Sequence, residues 1–465
     1  MTHVHLIGIG GTGLSAIARI LIETGYTVSG SDRADSQFVK ALRSAGVTIS
    51  IGHRAENVAG ADVVVRSSAI PDDNPEVVAA RSAGIPVLKR ADFLGTLMEG
   101  KTGIAVAGTH GKTSTTAMIA WMLTALKQKP SFIVGGVLNN LGTNARSGKG
   151  ATFVIEADEY DRMFLGLKPL IEVVTNVEYD HPDCYPTPSD FQAAFVEFVK
   201  RLPPAGTLVA CAEDEGARAL IMEAEKLGKA VITYGLRPAT ENGQRSMDCY
   251  AEILVPNSKG GFTFSASVLG HSTSVKLQVP GKHNVRNSLA ALTVAVLLGL
   301  PLPKAARALG QFTGTGRRFD VRGEAVGVIV IDDYAHHPTE IRTTLAAARA
   351  RYPGKRIWAV WQPHTYSRTQ ALAASFARAF EDADQVIVTD IYAAREAKQA
   401  YSSADVVKAM THPSVHFIAD LREVGQYLLT QLRPGDVLLV LSAGDADQVS
   451  QNVLAGLSER KVYHG

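Results

Sequence analysis

The sequence predicts an α/β protein of three domains: a Rossmann-like N-terminal domain, a central phosphate-loop, ATPase-like α/β domain with an antiparallel segment, and a Rossmann-like C-terminal domain. Three observations carry this. Short apolar runs alternate with helical patterns along the whole chain, which implies parallel sheets covered on both faces. Two glycine-rich turns, at Gly8 and Gly108, each follow a strand and open a helix. The length, 465 residues, suits about three domains of roughly 150 residues each.

The first unit, residues 1–99, reads as strand Val4–Ile9, helix Gly13–Glu23, strand Thr27–Ser31, helix Ala34–Ala45 and strand Val63–Val65. The pattern breaks near Glu99–Gly103. The second unit, 100–313, has strand Ile104–Ala107, helix Thr113–Lys127 and strands at Phe153–Glu156, Val173–Asn176, Leu208–Ala210 and Val231–Tyr234. From Tyr250 to Val279, three extended segments without helices between them predict an antiparallel meander. The apolar helix Ala290–Leu300 closes the unit. The third unit, 314–465, starts at the glycine-rich Thr313–Arg318, with strands Val328–Ile331, Arg356–Trp361, Gln385–Thr389 and Asp436–Leu441 alternating with helices.

Composition excludes several classes. Hydrophobic residues are 46% and charged residues 20%, ordinary for a folded protein. The net charge is +2 without a long basic run, which argues against nucleic-acid binding. Cys184, Cys211 and Cys249 are far apart; they form no CxxC metal site or disulfide framework and suit a reducing cytoplasm. The start, MTHVHLIGIGG, lacks the basic region of a signal peptide. The longest uncharged stretch, Asn287–Pro303, has 17 residues and includes Gly299 and two prolines. A bilayer span needs about 20 apolar residues, so a buried helix is expected and no membrane segment remains.

Gly8-x-Gly10-x-x-Gly13 follows a strand, and Asp32 ends the next one. Such glycines let a diphosphate approach a helix N-terminus, and the carboxylate can bond a ribose or base. NAD and a UDP-sugar fit the motif equally, and a bare tight turn is the bland alternative. Gly108-Thr-His-Gly-Lys112-Thr113 is a shortened phosphate loop, with Val106 where the full pattern has glycine. Its N–H groups and Lys112 suit phosphates, and Thr113 suits Mg²⁺. Glu156-Ala-Asp158-Glu159-Tyr-Asp161 offers hard oxygen ligands beside that loop. Asn176-x-Glu178-x-Asp180-His181 ends the next strand, where open α/β sheets bind ligands. The pair His336-His337 lacks a third ligand at zinc spacing; capping the helix near Pro338 is its alternative role. His364 and Arg368 could hold a carboxylate.

This set, in this order, resembles the Mur ligases of peptidoglycan synthesis. The resemblance spans nearly the whole chain: HLIGIGGTGLSAIA with GSD, GTHGKTSTT, EADEYDRMF, TNVEYDH, GKHNVRNSLAA, GRRFD, DDYAHHPTEI and QPHTYSRT. It is closest to the branch that joins L-alanine to the lactyl carboxylate of UDP-N-acetylmuramate through an acyl phosphate. The branch that recycles a whole tripeptide is the alternative. Ligases that add later residues generally carry a carbamylated lysine where this chain has Glu156 and His181. The resemblance implies ATP and Mg²⁺ as cofactors, a cytoplasmic monomer or homodimer, and a set of site residues. Gly8, Gly10, Gly11, Thr12, Gly13, Ser31, Asp32, Ser67 and His110 would hold the UDP-sugar. Gly108, Thr109, His110, Gly111, Lys112, Thr113, Ser114, His283, Asn284, Asn287, Arg317 and Asp333 would hold ATP. Thr113, Glu156 and His181 would hold the metal, with Lys112, Glu156 and His181 catalytic. His336, His364 and Arg368 would form the amino-acid pocket. Some relatives have a second arginine after the QPH histidine, where Thr365 stands here.

Overall fold

The structure, a computed structural model, describes residues 1–236 and 247–463. Three sheets follow one another along the chain. The first holds β1 (His3–Ile7), β2 (Thr27–Asp32), β3 (Thr48–Ile51), β4 (Val63–Arg66) and β5 (Val87–Lys89), all parallel, in the order β3-β2-β1-β4-β5. The order reverses between β1 and β4. That switch point puts a crevice beyond the end of β1, where such sheets receive ligands.

The central sheet holds β6 (Thr102–Ala107), β7 (Ser131–Leu138), β8 (Thr143–Arg146), β9 (Thr152–Glu156), β10 (Ile171–Val174), β11 (Thr207–Cys211), β12 (Ala230–Gly235), β13 (Cys249–Pro256), β14 (Phe262–Val268) and β15 (His271–Lys276). Its order is β15-β14-β13-β12-β11-β10-β6-β9-β7-β8. The expected meander is present, and it extends the main sheet because β13 pairs parallel with β12. The hairpin β7–β8 on the far edge was not expected. Glycines interrupt one of its strands and the other is the polar run Thr143–Arg146, so neither reads as an apolar strand.

The third sheet holds β16 (Asp320–Ala325), β17 (Val328–Asp333), β18 (Ile357–Gln362), β19 (Gln385–Val388), β20 (Val415–Phe417) and β21 (Val437–Ser442), in the order β16-β17-β21-β18-β19-β20. Only β16 runs antiparallel.

Packing joins these units unequally. One continuous apolar cluster runs from Val4 and Ile17 through Phe93 and Met98 to Phe164, Phe195 and Leu220, so the first two sheets share a core. The third sheet has its own clusters on its two faces, and among the described residues these begin only at Phe319. It meets the central sheet through polar side chains, the kind of boundary across which domains move. Among the described residues, no helix is long and apolar enough to cross a membrane.

Candidate active site between the central and C-terminal domains

The phosphate loop leaves β6 at Gly108, whose φ is +128°; a Cβ there would lie 2.1 Å from the Thr175 hydroxyl, so only glycine fits. Gly111 caps the helix Lys112–Ala125 without a side-chain bond and with no acid in the first turn. Its first N–H groups therefore face outward, ready for an anion. Lys112 folds back over the loop. Its Nζ donates to the Gly108 carbonyl (2.6 Å) and lies 2.9 and 2.8 Å from the two Glu159 oxygens. Burial alone would lower the lysine pKa, but Glu159, Asp158 and Glu156 raise it above the usual range. Burial would raise Glu159, yet Lys112 and His181 bring it below the usual range. Thr113 Oγ1 donates to Glu156 Oε1 (2.9 Å), and Gly135 N donates to the other oxygen (2.6 Å). Burial holds the Glu156 carboxyl above its usual range.

His181 has φ +57° in the turn after β10. Its Nε2 lies 3.5 Å from Glu159 Oε1, so one buried carboxylate stands between Lys112 and His181. Burial would lower the His181 pKa, but Asp180 and Glu159 raise it. Arg368, from the C-terminal domain, reaches the same turn. Its Nε and Nη2 donate to the two Asp180 oxygens at 2.7 and 3.1 Å, and its Nη1 donates to His364 Nδ1 at 3.1 Å. The arginine fork offered to a substrate carboxylate is thus closed on Asp180. His336 donates from Nδ1 to the Tyr334 carbonyl (2.8 Å) and stands 5.9 Å, centroid to centroid, from His364. Burial lowers the pKa of His336 to about 4 and, with His336 and Arg368 beside it, that of His364 to about 2. Both rings are neutral at pH 7.

Beside this cluster lies a cavity of about 560 Å³, of the size that holds small ligands. His110, Gly111, Thr113, Ser114, His283, Asn284, Asn287 and Asp333 all line it, as do Asn176 and Glu178. His283 Nδ1 is buried there without a partner, and burial with Arg286 nearby brings its pKa to about 4. A neutral ring with an unused nitrogen fits a heteroaromatic base. Arg317 departs from expectation. Its Nη2 donates to the Ser442 (2.7 Å) and Gly444 (3.2 Å) carbonyls inside its own domain, and Arg318 faces the cavity instead. Two adjacent arginines carry no sequence signal for which one turns inward. Asp333 accepts from Phe319 N (2.7 Å) and Ala335 N (2.8 Å), and burial raises its pKa to about 6.

His110 joins the two domains. Its Nε2 donates to Glu178 (3.0 Å) and its Nδ1 lies 3.2 Å from Glu340. Burial would lower its pKa, but these two carboxylates raise it to about 9. His337 caps the helix Pro338–Arg351 in a capping box with Glu340, the alternative role foreseen for it. Ligand atoms of His110, Glu178 and His337 come within 4.8 Å of one another. His337 Nδ1 accepts from Thr339 N, however, so the proton sits on Nε2 and the ring offers that cluster no lone pair.

In the N-terminal domain, Gly8 has φ +86° and Gly10 N donates to Asp32 Oδ2 (2.8 Å). Asp32 therefore braces the glycine loop. The helix Thr12–Glu23 starts at Gly11 with no side-chain cap. The Ser31 hydroxyl donates inward to buried Glu76 (2.6 Å), and Ser67 lies against Gly8. Burial would raise Glu76, but His5, Ser31 and Asn57 hold it at about 2.

The residues missed from sequence are partners of those side chains: the buried Glu159 and Asp180 and the half-buried Arg318 and Glu340. Glu159 and Asp180 stood in motifs already noted, and Glu340 three residues after His337 carried a capping signal.

Three family descriptions match the chain: Mur ligase family, catalytic domain, over residues 3–102; Mur ligase middle domain over 106–295; and Mur ligase, glutamate ligase domain, over 317–444. The chain belongs to the Mur ligase family. A UDP-N-acetylmuramate–L-alanine ligase of Nitratidesulfovibrio vulgaris is 43% identical over 97% of this chain and 98% of that protein. One of a Roseiflexus species is 44% identical over 98% of this chain and 100% of that protein. Among solved structures, UDP-N-acetylmuramate–alanine ligase of Thermotoga maritima matches with a TM-score of 0.81 and 30% identity, covering 100% of both chains. A murein peptide ligase of Psychrobacter arcticus matches with 0.73 and 26%, over 98% of this chain and 99% of that one. This Mur ligase is accordingly an ATP-dependent ligase of peptidoglycan synthesis, and its three-domain α/β architecture is that of the family.

Proposed function

We propose that this Mur ligase joins L-alanine to the lactyl carboxylate of UDP-N-acetylmuramate, with ATP converted to ADP and phosphate. The observation that carries the reading is the 43–44% identity over nearly the full length to ligases of that name, and the cavity lined by Gly111, Thr113 and His283 at the phosphate loop supports it. Residues 1–99 would bind the UDP-sugar, 100–313 ATP and 314–465 the amino acid.

The lactyl carboxylate attacks the γ-phosphorus of ATP; the bond to the β-phosphate oxygen breaks, giving an acyl phosphate and ADP. The amine of L-alanine then attacks the acyl carbon, loses a proton, and phosphate leaves with the bonding pair. This chain contributes position and charge. The open N–H groups of Gly111–Thr113 and Lys112 hold phosphates as Lys112 leaves Glu159. Thr113 Oγ1 and Glu156, whose carboxylate that hydroxyl now bonds, are the hard oxygen donors that suit Mg²⁺. His181 could join them only as a neutral ring, whereas its neighbours favour the charged one. When bound, Mg²⁺ would neutralise phosphoryl charge. Neutral His336 and His364 and the edge of Arg368 would frame the amine. Contact between the domains keeps water from the acyl phosphate. The nucleotide sugar and amino acid are soluble, consistent with a cytoplasmic enzyme.

The test is ADP release with ATP, Mg²⁺ and UDP-N-acetylmuramate, adding L-alanine, glycine, L-serine or the L-alanyl-γ-D-glutamyl-diaminopimelate tripeptide in turn. L-Alanine should drive release, with a matching mass gain of the nucleotide sugar. Release driven by the tripeptide alone would move the enzyme to the recycling branch.

A further inference from the structure

Two strained turns face each other across the boundary between the central and C-terminal domains. On the central side, His181 takes a left-handed φ of +57°. On the other, Thr365 takes φ +66° as the start of the short helix Tyr366–Ala371, which carries Arg368. A β-branched residue with φ above zero is costly and persists only where its surroundings over-determine it. Thr365 provides no side-chain cap. The helix start is held from outside by one segment, Tyr392–Glu396. The Tyr392 carbonyl accepts from Thr365 N (2.9 Å). Glu396 accepts from Tyr366 N (2.5 Å), Ser367 N (3.1 Å) and the Ser367 hydroxyl.

The neighbouring Arg395 crosses the boundary. Its Nε and Nη2 donate to Asp183 Oδ2 at 3.0 and 2.5 Å, and its guanidinium lies 4.1 Å above the Tyr160 ring. Tyr160 donates to the same Asp183 oxygen (3.2 Å) and packs edge-on against His181, with centroids 5.1 Å apart. Arg368 grips Asp180 three residues earlier in the same turn. Two arginine forks thus hold one turn from the same side.

We infer that Arg395 is a positioning residue for the ligation. It ties the segment that caps the amino-acid helix to the turn bearing His181, so that both strained turns are set in register when the two domains close. The inference rests on the functional reading above but has a readout independent of the amine. An exposed ion pair alone contributes little; a fork that also stacks on an aromatic ring contributes more.

The test compares wild type, Arg395→Ala, Arg395→Lys and the swapped pair Asp183→Arg/Arg395→Asp. In Arg395→Ala, KM for the amino acid should rise about tenfold with kcat down severalfold, while the Kd for UDP-N-acetylmuramate stays within about twofold. Arg395→Lys should recover only part, having lost the fork, and the swap should recover at least half of the lost kcat/KM. Small-angle scattering with Mg²⁺ and a non-hydrolysable ATP analogue should give a larger radius of gyration for Arg395→Ala than for wild type or the swapped pair. Equal radii in all three, or an Arg395→Ala loss that falls alike on UDP-sugar binding and amine use, would overturn the inference. The predicted order of radii in an enzyme showing no L-alanine-dependent ADP release would sink the substrate reading and leave the clamp standing.

Discussion

The two glycine loops of this enzyme use one backbone device for different purposes. Each follows a parallel strand, opens with a glycine at positive φ (Gly8 at +86°, Gly108 at +128°) and ends on a helix with no side-chain cap. Both therefore present unpaired N–H groups to an anion. They differ in the side chains that hold them. Asp32 bonds the N-terminal loop through Gly10 N, and that loop carries no lysine. The central loop carries Lys112 against Glu159, with Thr113 against Glu156. A carboxylate brace suits a loop that binds a diphosphate and keeps it. A lysine paired with an acid suits a loop where phosphate charge must be met during transfer. The lesson is that the glycine pattern marks an anion site, while the residue after it and the acid behind it mark the chemistry.

The comparison breaks most visibly at Glu159. Glu159→Gln leaves Lys112 without its charge partner in a buried site, which costs about 3 kcal/mol and lowers the unfolding temperature by about 8 °C. Calorimetric melting should find this loss, and saturating Mg·ATP should restore much of it, because phosphates then pair with Lys112. The same ligand on Asp32→Ala should give only the stabilisation it gives wild type.

A smaller effect concerns His110, in the central loop only. Its pKa is raised from 6.5 to about 9, so its contribution is complete below pH 6.5 and is lost as pH rises through about 9. Burial would raise its partner Glu178, but His110 lowers it from 4.5 to about 2; that contribution is complete above pH 4.5 and is lost as pH falls through about 2. The melting difference between wild type and Glu178→Gln should therefore be greatest, at about 2 °C, between pH 4.5 and 6.5. It should shrink toward pH 9. A difference that grows with alkalinity would contradict this bridge.

Much of the fold was legible because β-α-β alternation is a pattern of apolar runs, and β1, β6, β9 and β17 are such runs. The polar strand Thr143–Arg146 and the three-residue β5 and β20 were not legible, since too few residues carry the pattern. In the site, Lys112 and Thr113 stood out because they follow a glycine loop that opens a helix, and Glu156 because it starts an acidic cluster at a strand end. The partners that hold them did not. Asp180–Arg368 spans 188 residues of sequence and His110–Glu340 spans domains, and single-chain spacing is silent about such pairs. Arg317 illustrates the limit: its fork serves its own domain while Arg318 faces the cavity between the domains.

The central claim is a division of labour between the two loops, and a crossed titration tests it directly. Lys112→Ala and Asp32→Ala would each be titrated calorimetrically with a non-hydrolysable ATP analogue plus Mg²⁺ and, separately, with UDP-N-acetylmuramate. Lys112→Ala should weaken the ATP analogue by about tenfold or more and leave the UDP-sugar within about twofold, and Asp32→Ala should do the reverse. Loss of both ligands to the same extent in either variant would contradict it.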